Sequence, residues 1–213
     1  SWGGLWIAQR RAQPAGGVLE AALVGALGRD YRAEIPAPRR ALLRDATPAR
    51  EWLRAFSMRR PGVRVLRNVD YGDAGVRHQL DLYLPEAPGT LRPMLLQIHG
   101  GAWVYGRKDQ QALPLLYHLA ARGWVCAAAN YRLSPGVRFP QQLIDLKRAL
   151  AWLRQHAAEY GGDPKFIAVT GGSAGGHLTA LVALTPNQAA LQPDFEAADT
   201  SVQAAVPFYG IYD

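Results

Sequence analysis

Beyond residue 61, short apolar runs alternate with longer helix-like segments, and this alternation restricts the chain to few folds. The later strand-like runs are MLLQIHGG, WVCAAANY, KFIAVTGG and SVQAAVPFYG. Strands separated by helices pair in parallel through right-handed crossovers, and the helices cover both faces of the sheet. The first two runs, VRVLRNVDY and HQLDLYLP, have the period of a half-buried hairpin. The pattern predicts an α/β fold whose mostly parallel sheet opens with an antiparallel hairpin.

The segment that begins at Gln141 has the clearest helical period. Its leucines recur at spacings of three and four, so they share one face of a helix, while the charged residues point elsewhere. These leucines are Leu143, Leu146, Leu150 and Leu153. The helix is predicted to end at YGGDP, because glycine suits a left-handed cap and Pro164 prevents continuation. Asp145 is interpreted as an anchor for a loop rather than as a catalytic carboxylate.

Residues 1–60 differ from the rest of the chain in charge. They hold eleven arginines against five acidic residues, whereas residues 61–213 contribute only +1 to the whole-chain net charge of +7. A nucleic-acid-binding domain carries a basic face of its own, so the nearly neutral body argues against a nucleic-acid partner. We predict a basic helical leader over residues 1–60 and one α/β core over residues 61–213, a length that suits a single domain.

The leader has two interpretations. Its apolar pieces are interrupted by Arg10, Arg11, Pro14 and glycine pairs, and none reaches the ~18 residues of a membrane span. A solvated leader that includes an amphipathic helix at VLEAALVGALG is preferred, and PAREWLRAF, from Pro48, adds a short helix. SWGGLWI followed by two arginines also fits the end of a span that begins upstream. Association of residues 1–60 with an anionic membrane surface is a further expectation.

The stretch FIAVTGGSAGGHLTALVAL passes from a strand-like run through a glycine-rich turn into a helix-like run. Gly171, Ser173 and Gly175 form Gly-x-Ser-x-Gly, which presents a nucleophilic serine on a sharp strand-to-helix turn. The glycines let the backbones approach, and the amino end of the following helix favours a developing oxyanion. Taken alone, the turn also fits a small-residue connection or a phosphate-binding loop, although the Walker and dinucleotide spacings are absent.

A second glycine turn supports the first. His99, Gly100 and Gly101 directly follow a strand-like run, in the position of a loop that supplies oxyanion donors in hydrolases. Acyl transfer needs several N–H groups aimed at the oxygen that becomes negative, and each donor contributes roughly 3 kcal/mol to transition-state stabilisation. The separation of 74 positions from His99 to Ser173 leaves room for two crossover units. The two turns together favour acyl transfer over either alternative.

Neither a metal ion nor another cofactor is predicted. The five histidines lack metal-ligand spacing, and carboxylates do not cluster beside them. The single cysteine, Cys126, lies inside an apolar run, so it can form no intrachain disulfide and is interpreted as a buried thiol.

These motifs resemble those of the hormone-sensitive-lipase-like serine esterases, an α/β-hydrolase family that includes bacterial carboxylesterases and lipases. The resemblance rests on HGGAW, YRLSP with the following FP, GGDP, TGGSAGGHL and PFYGIYD, and it covers about Leu66 to Asp213. It implies that Ser173 is the nucleophile of a carboxylic-ester hydrolase. Amides remain open as substrates, because related folds include peptidases and aryl formamidases.

The resemblance also implies an oxyanion hole built from backbone N–H groups. The residues it assigns to this hole are Gly100, Gly101, Ala102 and Ala174. The family's second and third loop glycines fall on Gly101 and Ala102, and Ala102 departs from glycine, although a backbone donor survives if the dihedral angles permit it. His99 is implied to organise the loop rather than to act as the base.

A serine nucleophile needs a histidine base and a carboxylate, which in this fold follow the serine along the chain. The only later histidine, His177, lies one helical turn away and is interpreted as a packing or hydrogen-bonding residue. The resemblance places the acid and the base beyond PFYGIYD. We expect the chain to be the amino-terminal part of a longer esterase. The alternative is a noncatalytic binding protein with an incomplete triad.

Overall fold

The computed structural model describes residues 2–40, 58–87 and 89–212. The chain divides into two compact units, Ser1–Phe56 and Ser57–Asp213. The division predicted at residues 60 and 61 stays a prediction, and the short helix predicted from Pro48 lies outside the described residues.

The first unit is helical. It contains α1, Trp2–Leu27, a 3-10 helix, Tyr31–Glu34, and the short α2, Ala37–Arg40. The helix predicted at VLEAALVGALG lies in the carboxyl-terminal part of α1, which begins at Trp2 and runs through Pro14. Alanine, arginine and glutamine on the amino-terminal side of Pro14 favour the helix. None of the helices in the described ranges combines the length and hydrophobicity that a membrane span requires.

The second unit is built on a six-stranded sheet with the order β1-β2-β4-β3-β5-β6. The strands are β1, Val63–Asp70, β2, Gln79–Pro85, β3, Arg92–Ile98, β4, Val125–Ala129, β5, Gly162–Gly172, and β6, Ala204–Phe208. β2 pairs antiparallel with both β1 and β4, and the remaining neighbours are parallel. The predicted α/β fold with an opening antiparallel hairpin is confirmed.

Helices cover both faces of this sheet. They are α3, Leu113–Ala120, α4, Gln141–Gln155, and α5, Ala174–Leu184, with 3-10 helices at Gly75–His78, Ala157–Tyr160 and Ala189–Leu191. The predicted leucine face of α4 is buried with α5 on one side of the sheet, and α3 packs on the other. Cys126 is buried, as predicted, and its burial raises the pKa of the thiol.

The carboxyl ends of β3, β4 and β5 lie at one edge of the sheet because these strands are parallel. Loops that leave this edge carry the two glycine turns. The fold therefore places the predicted site where open α/β sheets bind ligands.

Candidate active site

Ser173 lies on a sharp turn between β5 and α5. Its backbone has φ 57° and ψ −124°, a conformation that residues other than glycine seldom adopt. A Cβ atom added at Gly171 would lie 2.5 Å from the carbonyl oxygen of Gly175, and one added at Gly175 would lie 2.7 Å from that of His99. Both positions therefore exclude a side chain, as the sequence pattern predicts for a nucleophile turn.

The two glycine turns meet at this edge. A Cβ atom added at Gly100 would lie 3.3 Å from the Cβ of Ser173 and 2.6 Å from the carbonyl oxygen of Gly172. Ser173 is exposed, and its hydroxyl has no hydrogen-bond partner among the described residues. The serine oxygen is therefore open to a ligand beside the loop that follows β3.

This loop has an unusual backbone. Gly101, Ala102 and Trp103 have positive φ angles of 126°, 49° and 62°. Val104 and Tyr105 both donate backbone hydrogen bonds of 3.0 Å to the carbonyl oxygen of Gly101, which closes a tight turn. The value at Gly101 suits glycine alone, whereas Ala102 fits the left-handed region at a cost of about 1–2 kcal/mol.

The backbone N–H groups of the two glycine turns differ in whether they already donate a hydrogen bond. The N–H of Gly100 donates to Oε1 of Gln111 at 2.7 Å. Within residues 2–40, 58–87 and 89–212, no hydrogen bond takes up the N–H of Gly101, Ala102 or Ala174. The first turn of α5 adds the partial positive charge of a helix amino end. The N–H groups of Gly101, Ala102 and Ala174 are thus unpaired among the described residues, whereas that of Gly100 is engaged by Gln111, and the oxyanion hole assigned to these four residues stays a prediction.

His99 is fully buried and organises the start of the loop. Its ring stacks on Tyr131 with 4.3 Å between centroids, and its Nδ1–H donates to the carbonyl oxygen of Gly100 at 2.8 Å. Tyr131 Oη in turn donates to the carbonyl oxygen of His99 at 2.9 Å. Burial lowers the pKa of His99 to about 4, so the ring is neutral near pH 7. These contacts favour the loop-organising role over that of a base.

The other histidines near this edge have different partners. The ring of His177 meets Trp103 edge-on at 5.3 Å, which agrees with a packing role. His78 accepts the N–H of Ala74 on Nδ1, while its Nε2 lies 3.0 Å from Asp145. No histidine in the described parts of the chain hydrogen-bonds to Ser173 Oγ.

Asp145 anchors a loop, as its position on α4 suggested. Its carboxylate accepts hydrogen bonds from the backbone N–H of Arg132 at 2.9 Å and from the Arg132 guanidinium at 2.6 Å. Burial alone would raise the pKa of Asp145, but the close contact with His78 and the hydrogen bonds from Arg132 outweigh it and lower the pKa. Asp145 therefore remains a carboxylate, and in this form it fixes the chain segment that follows β4.

Comparisons with known proteins point to one group of enzymes. Residues 80–213 match the BD-FAE family. The probable carboxylic ester hydrolase LipM of Mycobacterium tuberculosis is 57% identical over 149 residues, covering 68% of this chain and 34% of LipM. Esterase LipQ of the same organism is 43% identical over 226 residues, covering 100% of this chain and 50% of LipQ.

This chain is also similar to solved structures of esterases. Thermogutta terrifontis esterase 2 phosphoramylated by tabun matches with a TM-score of 0.59 at 33% identity, covering 71% of this chain and 57% of that one. The chain spans about a third to a half of the length of the curated relatives it matches.

Proposed function

This chain belongs to the BD-FAE family, and we propose from this membership that the protein hydrolyses carboxylic esters through an acyl-enzyme on Ser173. One observation carries the proposal. The exposed hydroxyl of Ser173 lies at a strained turn that packs on Gly100, and in the described parts of the chain the N–H groups of the neighbouring Gly101, Ala102 and Ala174 are unpaired. Relatives named as esterases and ester hydrolases support the same reaction.

The proposed reaction has two steps. Ser173 Oγ attacks the ester carbonyl, and the three N–H groups stabilise the oxyanion of the tetrahedral intermediate. Collapse of this intermediate releases the alcohol and leaves an acyl group on Ser173. A water molecule then attacks the acyl-enzyme through a second oxyanion, which releases the carboxylic acid and regenerates the serine.

Ser173 needs a general base, which we place outside residues 1–213. The histidine rings closest to the turn have other roles, because His99 is buried against Tyr131 and His177 packs on Trp103. The curated relatives are two to three times longer than their matched region. A histidine and a carboxylate from such additional sequence would complete the triad.

Two other functions remain as alternatives. An amidase would use the same nucleophile and the same oxyanion donors. Only a comparison of amide turnover with ester turnover therefore distinguishes an amidase from an esterase. A noncatalytic binding protein would hold an acyl ligand beside Ser173 without turning it over. The open serine and the unpaired donors favour catalysis over simple binding.

The test is the change Ser173→Ala in the full-length protein. We expect hydrolysis of p-nitrophenyl butyrate to fall by at least ~10³-fold, because the attacking oxygen is removed. Thr90→Ala, which removes a hydroxyl group at an exposed position, is the matched control and should retain wild-type turnover. A Ser173→Ala protein with wild-type turnover would refute the assignment.

We also propose that residues 1–60 associate with anionic membrane surfaces. Their excess of arginine supports this, as do exposed apolar side chains on α1 such as Trp6, Val18 and Leu19. Each basic residue near such a surface contributes roughly 1 kcal/mol. Binding to phosphatidylserine vesicles should weaken with added salt, and salt-insensitive binding would contradict the electrostatic mechanism.

A further inference from the structure

A buried ion pair joins the loop after β3 to strand β2 of the sheet. Lys108 Nζ lies 2.7 Å from Oδ1 of Asp81, and the two residues are 3% and 0% exposed. Lys108 Nζ also donates to Oδ1 of Asn68 at 2.8 Å. Asp81 lies on β2, so the pair spans from the loop to the antiparallel part of the sheet.

A β-bulge in β1 completes the surroundings of Asp81. The pairing of β1 with β2 shifts register between Leu66 and Val69, and the intervening Asn68 has φ 57°. The N–H of Asn68 donates to Oδ1 of Asp81 at 2.9 Å, and Arg67 donates to Oδ2 at 3.0 Å. The bulge therefore directs donors at the buried carboxylate, which matches the general role of bulges in re-aiming side chains.

Stability alone does not account for this arrangement. The desolvation of two buried charges offsets much of their attraction, and a hydrophobic pair of the same volume is often as stable. What a hydrophobic pair lacks is a directional contact that fixes one chain segment against another. The Lys108 network has several such contacts, since the Lys108 N–H also donates to Asn130 Oδ1 at 2.7 Å.

The fixed segment packs on the oxyanion loop. A Cβ atom added at Gly106, two residues before Lys108, would lie 2.5 Å from both the carbonyl oxygen of Gly100 and Nδ1 of His99. The carbonyl oxygen of Gly106 also accepts a hydrogen bond from Arg77. Because Gly100 directly precedes Gly101, this close packing connects residues 106–108 to the segment that holds the proposed donors at Gly101 and Ala102.

We infer that Lys108 is a positioning residue for the oxyanion hole, acting through the buried pair with Asp81. The inference rests on the proposed ester hydrolysis at Ser173. Lys108 does not touch the substrate. It holds the far end of the loop so that the N–H groups of Gly101 and Ala102 remain aimed at the oxyanion.

The test compares Lys108→Met with Arg67→Met in the full-length protein. Both changes remove a cation from Asp81, but Arg67 is half-exposed and lies on β1 rather than on the loop. For Lys108→Met we expect kcat per titrated Ser173 to fall by roughly 10- to 100-fold, because a displaced oxyanion donor acts on the transition state. KM should stay within about threefold, and the inhibition constant of phenylboronic acid should rise in parallel with the loss of kcat. Arg67→Met should leave all three values within about twofold.

A merely structural role would give a different result. It would lower the melting temperature and the fraction of titratable Ser173 while leaving kcat per titrated site unchanged, and that outcome overturns the inference. If Lys108→Met does not fold, the variant Asn68→Gly replaces it in the test. Glycine tolerates the positive φ at position 68, and the change removes one hydrogen-bond acceptor of Lys108. A severalfold loss of kcat per site supports the inference, and an unchanged kcat overturns it. Absence of turnover in the wild type would instead refute the proposed function, and the inference with it.

Discussion

The change Gly175→Ala tests how tightly the nucleophile turn packs on β3. The added methyl group would contact the carbonyl oxygen of Ile98 and lie 2.7 Å from that of His99. Ordinary contact between such atoms is about 3.5 Å, so His99 and the start of α5 must separate by about 0.8 Å. The atoms that obstruct the methyl belong to the backbone and cannot rotate away.

Two effects follow from this displacement. Forcing a methyl group into a packed backbone contact costs roughly 1–3 kcal/mol of unfolding free energy. A shift of nearly 1 Å between Ser173 and the loop after His99 should also lower kcat on the order of 10²-fold, because attack and oxyanion binding need both groups in register. The variant should therefore lose far more activity than folded protein.

The assay pairs urea denaturation with turnover of p-nitrophenyl butyrate by the full-length protein. Gly25→Ala is the control, since a Cβ atom there meets nothing within 4 Å and a helix interior gains from alanine. Gly25→Ala should match or exceed wild-type stability and retain wild-type turnover. A Gly175→Ala protein with wild-type kcat would refute the close approach of α5 and β3.

Three further predictions concern the loops around the site. Ala102→Gly should stabilise the fold by about 0.5–1 kcal/mol in urea denaturation and retain activity, because glycine relieves the positive φ of 49° but loses more entropy on folding. The ring of His99 should remain neutral at pH 5 in an NMR titration, since burial lowers its pKa to about 4; stability should decline as the pH falls from about 6.5 towards that value. Despite burial, the pKa of Asp145 is lowered overall by the close contact with His78 and by hydrogen bonds from Arg132, so its contribution to stability is present above pH ~4 and is lost at lower pH. Asp145→Asn should flatten the acid side of the stability curve.

The sheet was predictable because its buried strands appear in the sequence as apolar runs that alternate with helical segments. The run WVCAAANY contains β4, Val125–Ala129, and KFIAVTGG ends where β5 ends, at Gly172. The juxtaposition of His99 and Ser173 was predictable for a related reason, since each directly follows a parallel strand. The alternation of strands and helices does not predict the exact bounds of each strand, because strand ends depend on pairing with neighbouring strands.

The polar contacts behind the loop were not predictable. Gln111, which binds the N–H of Gly100, and the pair of Lys108 with Asp81 are single residues with no period or motif. Their partners are set by the tertiary fold. The amino-terminal part of α1 was not predicted for another reason, since Pro14 is unfavourable in a helix interior, whereas the helix formers that precede it favour the helix.

Covalent trapping tests the central claim most directly. The full-length protein is treated with diethyl p-nitrophenyl phosphate, and the site of modification is read by peptide mass spectrometry. The account predicts one diethylphosphoryl group per molecule, on the peptide that contains Ser173, with release of one p-nitrophenolate. An active protein that is modified at another residue, or that remains unmodified, would contradict Ser173 as the nucleophile.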